Sequence, residues 1–194
     1  MNNPTMGRPK ATPHCRVVIT DKCNLTCDFC CMNDPVISDS FKEASAWYIA
    51  QQIHKEVSIT GGEPLLALPR VIMFSQIVKY FNPDVKLYLY TNGELLTDEI
   101  AKILKACGID GINISIHKIT SWQMLPRYWS IHESGKMPLR FLVGEDELTK
   151  EQLGEVKGNA RLAGIPVRVW KMDDCKDMPF ESRYRLTDPN IRWN

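Results

Sequence analysis

The sequence predicts an α/β fold built on a parallel sheet. Six strand-like runs, RVVIT (16–20), VSIT (57–60), KLYLY (86–90), INISI (112–116), PLRFLV (138–143) and PVRVW (166–170), alternate with stretches that carry helix signals. Their starts lie 26 to 41 residues apart, which is the rhythm of repeated βα units. At 194 residues, with 44% hydrophobic and 24% charged side chains, the chain can bury one sizeable core.

Each element has a local reason. The polar start MNNPTMGRPK makes residues 1–14 a flexible N-terminal segment, and the domain begins at residue 15 with the first strand. A cysteine-rich loop follows it. Ser40 with Glu43 has the spacing of a capping box ahead of the second strand. ITGGEP closes that strand, and YTNG closes the third, where Asn92 and Gly93 favour a turn. Thr97, followed by Asp98 and Glu99, opens a helix whose stripe Ile100, Ile103, Leu104, Cys107 has helical spacing and which Gly108 ends. Thr149 with Gln152 opens a helix that Gly164 ends. Residues 173–194 mix both charge signs with prolines, which predicts an irregular C-terminal tail or flap rather than a seventh unit.

Strand parity separates two faces, because successive side chains point to opposite sides. Ile112, Ile114 and Ile116 should pack under helices, leaving Asn113, Ser115 and His117 on the inner face. The last strand likewise turns Arg168, Trp170 and Met172 inward and Val167 and Val169 outward, and Arg140 opposes Leu139 and Phe141. Unpaired buried charge is costly in a plain core, so this inner face suits a polar ligand. Six units fall short of a closed eight-stranded barrel, and a doubly wound sheet is the alternative; either puts the site at the carboxyl ends of the strands.

Composition narrows the function classes. An odd number of cysteines, 7, and no charged-then-apolar leader argue against an oxidised secreted scaffold and for a reducing, cytoplasmic compartment. A net charge of +1 gives no strong nucleic-acid signal, and no apolar run has the roughly 18 residues of a membrane span.

The chemistry is concentrated in ITDKCNLTCDFCC, where Cys23, Cys27 and Cys30 form a CxxxCxxC triplet. Structural zinc needs four closed ligands, and no second CxxC or HxxxH pair exists in the sequence. Three thiolates can instead hold three irons of a 4Fe-4S cluster and leave the fourth open. With Phe29 before the last cysteine and ITGGEP at 59–64, the chain resembles the radical S-adenosylmethionine (radical SAM) enzymes over roughly residues 15–172. The resemblance implies an open, partial TIM-like (β/α)6 barrel of parallel strands. It also implies a 4Fe-4S cluster on Cys23, Cys27 and Cys30 and S-adenosylmethionine chelating the open iron. Reductive cleavage of that cofactor gives a 5′-deoxyadenosyl radical that takes hydrogen from substrate, so a low-potential donor such as flavodoxin or ferredoxin is expected.

The same resemblance assigns Phe29, Gly61, Gly62, Glu63, Pro64, Asn92, Ser115 and Arg140 to the cofactor. From the residues themselves, glycines at 61 and 62 suit close backbone approach to a ligand, or a strand-ending turn fixed by Pro64. His117 is a candidate acid or base, since imidazole titrates near neutrality. Arg168, Trp170, Arg127 and Trp129 are substrate candidates, the last two in an aromatic segment (118–138) that suits stacking on a planar ligand or packing on the barrel. Cys31 and Cys107 read as packed thiols, while Cys15 and Cys175 belong to no motif. The expected substrate is small and polar, nucleotide- or cofactor-like. Activation of a glycyl-radical protein and peptide modification are the rival enzyme readings. An iron-sulfur electron carrier is the non-enzyme reading, and GGEP argues against it.

Overall fold

A computed structural model of the chain describes residues 13–52, 55–117, 124–134, 137–144, 147–171, 174 and 181–187. Eight strands form one sheet: β1 (His14–Val18), β2 (Lys42–Ala44), β3 (Glu56–Thr60), β4 (Lys86–Thr91), β5 (Gly111–Ser115), β6 (Leu139–Gly144), β7 (Val167–Trp170) and β8 (Glu181–Leu186). Their order is β2-β8-β1-β3-β4-β5-β6-β7, and every pairing is parallel. The run from β1 through β3 to β7 never reverses direction. A doubly wound sheet reverses at a switch point, so successive right-handed crossovers here keep the helices on one face. Among the described residues no pairing joins β7 to β2, and the barrel is open there.

The helices are α1 (Pro35–Ser38), α2 (Ala46–Gln51), α3 (Leu68–Phe81), α4 (Asp98–Ala106), α5 (Leu125–Glu133) and α6 (Lys150–Leu162). The Thr97 hydroxyl caps α4 by accepting from the Ile100 N–H, and Thr149 with Gln152 forms the complete capping box of α6. Gly108 and Gly164 follow their helices at φ of 99° and 67°. The predicted Ser40–Glu43 box is not there. Lys42–Ala44 is a strand, Ser40 donates to the Ile37 carbonyl, and Ser45 caps α2 through the Tyr48 N–H. Along α4 the buried stripe runs through Ala101 and Leu104 to the C-cap residue Cys107, while Ile103 is 42% exposed.

Strand β8 corrects the expectation of an irregular tail over 181–186. Tyr184 and Leu186 pack on the core, and Arg183 shares a row with Arg16 on the opposite face. That face of β8 is wholly charged, which disguised a strand as a tail in the sequence. Its charges are paired: Arg16 and Arg183 both donate to the Glu181 carboxylate, at 3.1 and 3.0 Å, and Arg185 pairs with Asp21. Met172, Cys175 and the rest of the predicted tail, apart from Asp174 and Thr187, lie outside the described residues.

One continuous core fills the space between strands and helices. Val17, Ile59, Leu89, Ile114, Phe141 and Val143 point from successive strands into it, against Ile49, Phe74, Leu104, Tyr128 and Val156 of the helices. Ile112, Ile114 and Ile116 are buried in this layer, as parity requires. The opposite, concave face is thereby left for polar side chains. Among the described residues no helix is long and apolar enough to cross a membrane.

Candidate active site

The loop after β1 carries the three cysteines, and the segment after β3 builds its floor. Backbone pairing continues beyond the strand ends: Ile19 N–H donates to Thr60 at 2.8 Å, Gly62 N–H to Thr20 at 2.8 Å and Glu63 N–H to Lys22 at 2.7 Å. The two chains approach so closely that side chains cannot fit. A Cβ on Gly61 would lie 2.4 Å from the Thr20 carbonyl oxygen, and one on Gly62 would lie 2.3 Å from that of Lys22. These glycines are therefore required by loop-on-loop packing, a stronger reason than ligand approach alone.

Within the loop, Cys30 N–H donates to the Cys27 carbonyl at 3.2 Å, and Leu25 N–H donates to Cys23 Sγ at 3.4 Å. Asn24, between the first two cysteines, accepts from Asn92 Nδ2 at 2.8 Å and donates to Glu94 at 2.9 Å. This ties the loop to the turn after β4. Sequence reasoning missed Asn24 and Glu94, since two short polar residues in loops carry no pattern.

Cys23, Cys27 and Cys30 line one cavity at the carboxyl ends of the strands, together with Phe29, Gly61, Gly62 and Asn92. Ser115 and His117 from the end of β5, and Arg168 and Trp170 from β7, line its other side. Arg16, Tyr90 and Leu142 also reach it; parity applied to β1 and β4 points to the first two, and Leu142 shares the face of Arg140. Cys31 lines the cavity as well and packs on the small apolar cluster of Val18, Ile37 and Phe41. Cys15 and Cys107 are core thiols, and burial pushes both up from the usual thiol range.

Several predicted residues lie elsewhere. Glu63 is fully buried and Pro64 is buried beside it, and neither lines the cavity. The Glu63 carboxylate accepts from Thr91 Oγ1, the Asn92 N–H and the Leu65 N–H, and burial raises its pKa against those bonds. Arg140 has the predicted parity, but it stands exposed at the amino end of β6, whereas Leu142 on the same face reaches the cavity. Arg127 donates to the carbonyls of Leu96 and Glu94 at 3.1 and 3.4 Å. Trp129 is 47% exposed on α5, away from the cavity, because that helix packs through Tyr128 and Ile131. Residues 118–123 and 135–136 of the aromatic segment lie outside the described residues.

The donor set fits an iron-sulfur cluster. Three thiols on one loop open into a shared cavity, and each would take a separate iron, so the sulfurs do not have to converge on one point. Among the described residues no three His, Cys, Asp or Glu side chains do converge as ligands of a single ion. Opposite them stand polar and aromatic groups that can hold an extended ligand.

A family profile described as "Radical SAM superfamily" matches residues 17–121. A probable GTP 3′,8-cyclase of Sulfolobus acidocaldarius is 39% identical over 111 residues, 54% of this chain and 34% of the relative. The GTP 3′,8-cyclase of Aliarcobacter butzleri is 36% identical over 57% of this chain and 36% of the relative. That of Alkaliphilus oremlandii is 30% identical over 77% of this chain and 47% of the relative. The chain thus spans between a third and a half of these relatives. Among solved structures, Streptococcus suis SuiB bound to S-adenosylmethionine superposes with a TM-score of 0.62 at 17% identity, covering 84% of this chain and 39% of that one. The structure titled native anSMEcpe with bound AdoMet gives 0.59 at 16% identity, covering 82% and 52%. At such identities the likeness is one of fold.

Proposed function

The chain belongs to the radical SAM superfamily, and we propose that it is the enzyme core that cleaves S-adenosylmethionine and directs the radical onto a small, polar, nucleotide-like substrate. The observation that carries this reading is one cavity with three thiols on one wall and Ser115, Arg168 and Trp170 on the other. When bound, the reduced 4Fe-4S cluster and S-adenosylmethionine together supply a 5′-deoxyadenosyl radical that removes a hydrogen atom from substrate.

The protein's own part is placement and shielding. Cys23, Cys27 and Cys30 anchor the cluster through thiolates. Gly61 and Gly62 hold the floor of the cavity against the cysteine loop and expose backbone there. Ser115 offers a hydroxyl to the polar parts of the cofactor. Trp170 provides a planar face and Arg168 a guanidinium, a combination suited to a base and to carboxylate or phosphate oxygens. The relatives named GTP 3′,8-cyclase support a nucleotide over other small polar compounds. A low-potential donor such as flavodoxin or ferredoxin supplies the electron, and the reaction belongs in a reducing, cytoplasmic setting.

Anaerobic reconstitution should load about one 4Fe-4S cluster per chain. With a low-potential reductant the protein should release 5′-deoxyadenosine from S-adenosylmethionine, and added GTP or another purine nucleotide should raise that release. Tight zinc without iron incorporation would overturn the cluster assignment. A cluster indifferent to S-adenosylmethionine would favour an electron carrier. Stimulation by a protein substrate alone would replace the nucleotide with a macromolecule.

A further inference from the structure

Asn24 stands between Cys23 and Leu25, and its carboxamide is held at both ends. Its Oδ1 accepts from Asn92 Nδ2 at 2.8 Å, and its Nδ2 donates to Glu94 Oε2 at 2.9 Å. The two partners are themselves joined, because the Glu94 N–H donates to Asn92 Oδ1 at 3.0 Å. These bonds close a ring through Asn24, Asn92 and Glu94, and the ring stands on the buried Glu63 carboxylate that accepts the Asn92 N–H.

The peptide that this ring steadies points at a cysteine of the triplet. The Leu25 N–H donates to Cys23 Sγ at 3.4 Å, and the direction of that N–H is set by the ψ angle of Asn24, since the peptide unit itself is planar. Anchoring the Asn24 side chain on the turn after β4 therefore fixes the plane. Elsewhere in the loop the Cys30 N–H is taken by the Cys27 carbonyl. Cys23 and Asn24 are both exposed, so an unanchored peptide would be free to turn its N–H to water. Reduction adds negative charge to a cluster, and a hydrogen bond to a ligand sulfur stabilises that charge and moves the potential upward. The Glu94 carboxylate acts in the opposite sense through its charge, so its place in the ring is explained by the bond it accepts.

We propose that Asn24 is a positioning residue for the cluster: clasped by Asn92 and Glu94, it aims the Leu25 N–H at the Cys23 sulfur and raises the reduction potential, easing electron entry from a donor. This rests on the reading that Cys23, Cys27 and Cys30 carry a 4Fe-4S cluster.

The test uses the reconstituted full chain without S-adenosylmethionine or substrate. Midpoint potential is read by redox titration of the EPR signal, alongside iron content. Pulsed EPR of protein carrying leucine labelled with heavy nitrogen reports the contact itself, since Leu25 is the one leucine of the cysteine loop. Asn24→Ala should load iron as the wild type does, lose the leucine coupling, and be harder to reduce by about tenfold in the equilibrium, which is about 59 mV for a one-electron couple. Glu94→Gln, whose amide oxygen can still accept from Asn24, should keep the coupling and should not lower the potential. Thr26→Ala, in the same exposed loop, should change neither. An unchanged potential in Asn24→Ala would overturn the proposal, and so would a rise, the sign expected if the substitution merely let water reach the sulfur. Loss of iron in Asn24→Ala would also overturn it, making the ring a support of the loop and not a tuning device. A wild-type chain that takes up no iron would remove the underlying reading, an outcome distinct from these.

Discussion

Glu63 Oε2 accepts the backbone N–H of Asn92 at 2.8 Å, and the Asn92 side chain in turn reaches Asn24 in the cysteine loop at 2.8 Å. A fully buried carboxylate thus joins the end of β3 to the turn after β4, and that turn to the loop bearing the thiols. The glutamate of GGEP acts beneath the site as a brace rather than at its surface.

Glu63→Gln should therefore damage the loop without touching a ligand. The amide replaces part of an acceptor-only group with a donor facing the Thr91 hydroxyl and two backbone N–H groups. The amide keeps one oxygen acceptor and sheds the buried charge, but it turns a donor toward N–H groups, so a net loss of about 1–2 kcal/mol is expected in urea unfolding. The pH dependence has a definite sign. Burial raises the Glu63 pKa above its ordinary 4.5, so the folded state holds this proton more tightly than the unfolded state. Its contribution is fully present below the ordinary glutamate value and lost as pH rises through the raised one. The corresponding fall in stability should be absent from Glu63→Gln, as unfolding midpoints across that range would reveal.

Gly62→Ala is expected to prevent cluster assembly, because its Cβ would meet the Lys22 carbonyl oxygen at 2.3 Å. Backbone cannot swing aside as a flexible side chain can. Gly154→Ala, at a helical position with nothing within 4 Å of the added atom, is the control and should load iron normally. The measurement is iron per chain after anaerobic reconstitution.

These contacts explain what the sequence could and could not disclose. The parallel sheet was legible because each core strand repeats apolar residues at period two, and Ile112, Ile114 and Ile116 are buried as that pattern demands. The cysteine triplet and the glycines were legible because chemistry and backbone sterics restrict those positions to few residue types. Strand β8 was hidden by a face of Glu181, Arg183 and Arg185 whose charges are paired across strands and loops. Arg140 was misplaced because parity gives the face but not the height along the strand. The Glu147 carboxylate that lies 2.8 Å from His117 Nδ1 was invisible because the two are 30 residues apart in sequence, a separation no local pattern bridges.

At the opposite end of the sheet, Asp110 accepts from the Leu87 N–H, Lys79 and Lys86 at 2.9, 2.9 and 3.0 Å. Burial pushes its pKa up, but these donors outweigh burial and hold it below the ordinary 3.8. The sign is opposite to that of Glu63. Its contribution is present above the unfolded aspartate value and lost as pH falls through the lowered one. Asp110→Asn should cost about 1–2 kcal/mol at neutral pH and flatten the acid limb of the stability curve, with cluster loading unchanged.

Arg168 and Arg140, both predicted for the inner face, make the sharpest test of where substrate sits. Arg168 lines the cavity beside Trp170, whereas Arg140 is exposed near the amino end of its strand and does not line it. Among the described residues no salt bridge engages Arg168, and its planar fork has the geometry to grip two oxygens of a bound anion. Lysine keeps the charge but loses that bidentate geometry. Arg168→Lys should lower kcat/KM for nucleotide-stimulated release of 5′-deoxyadenosine by about tenfold or more, chiefly through KM, since a charge-assisted hydrogen bond is worth about 1.5–3 kcal/mol. Cofactor cleavage without nucleotide should be unaffected. Arg140→Lys should leave both rates unchanged. Equal losses in the two variants would mean that substrate reaches down the inner face to the amino end of β6, and no loss in either would move the anion-binding group off the β7 wall.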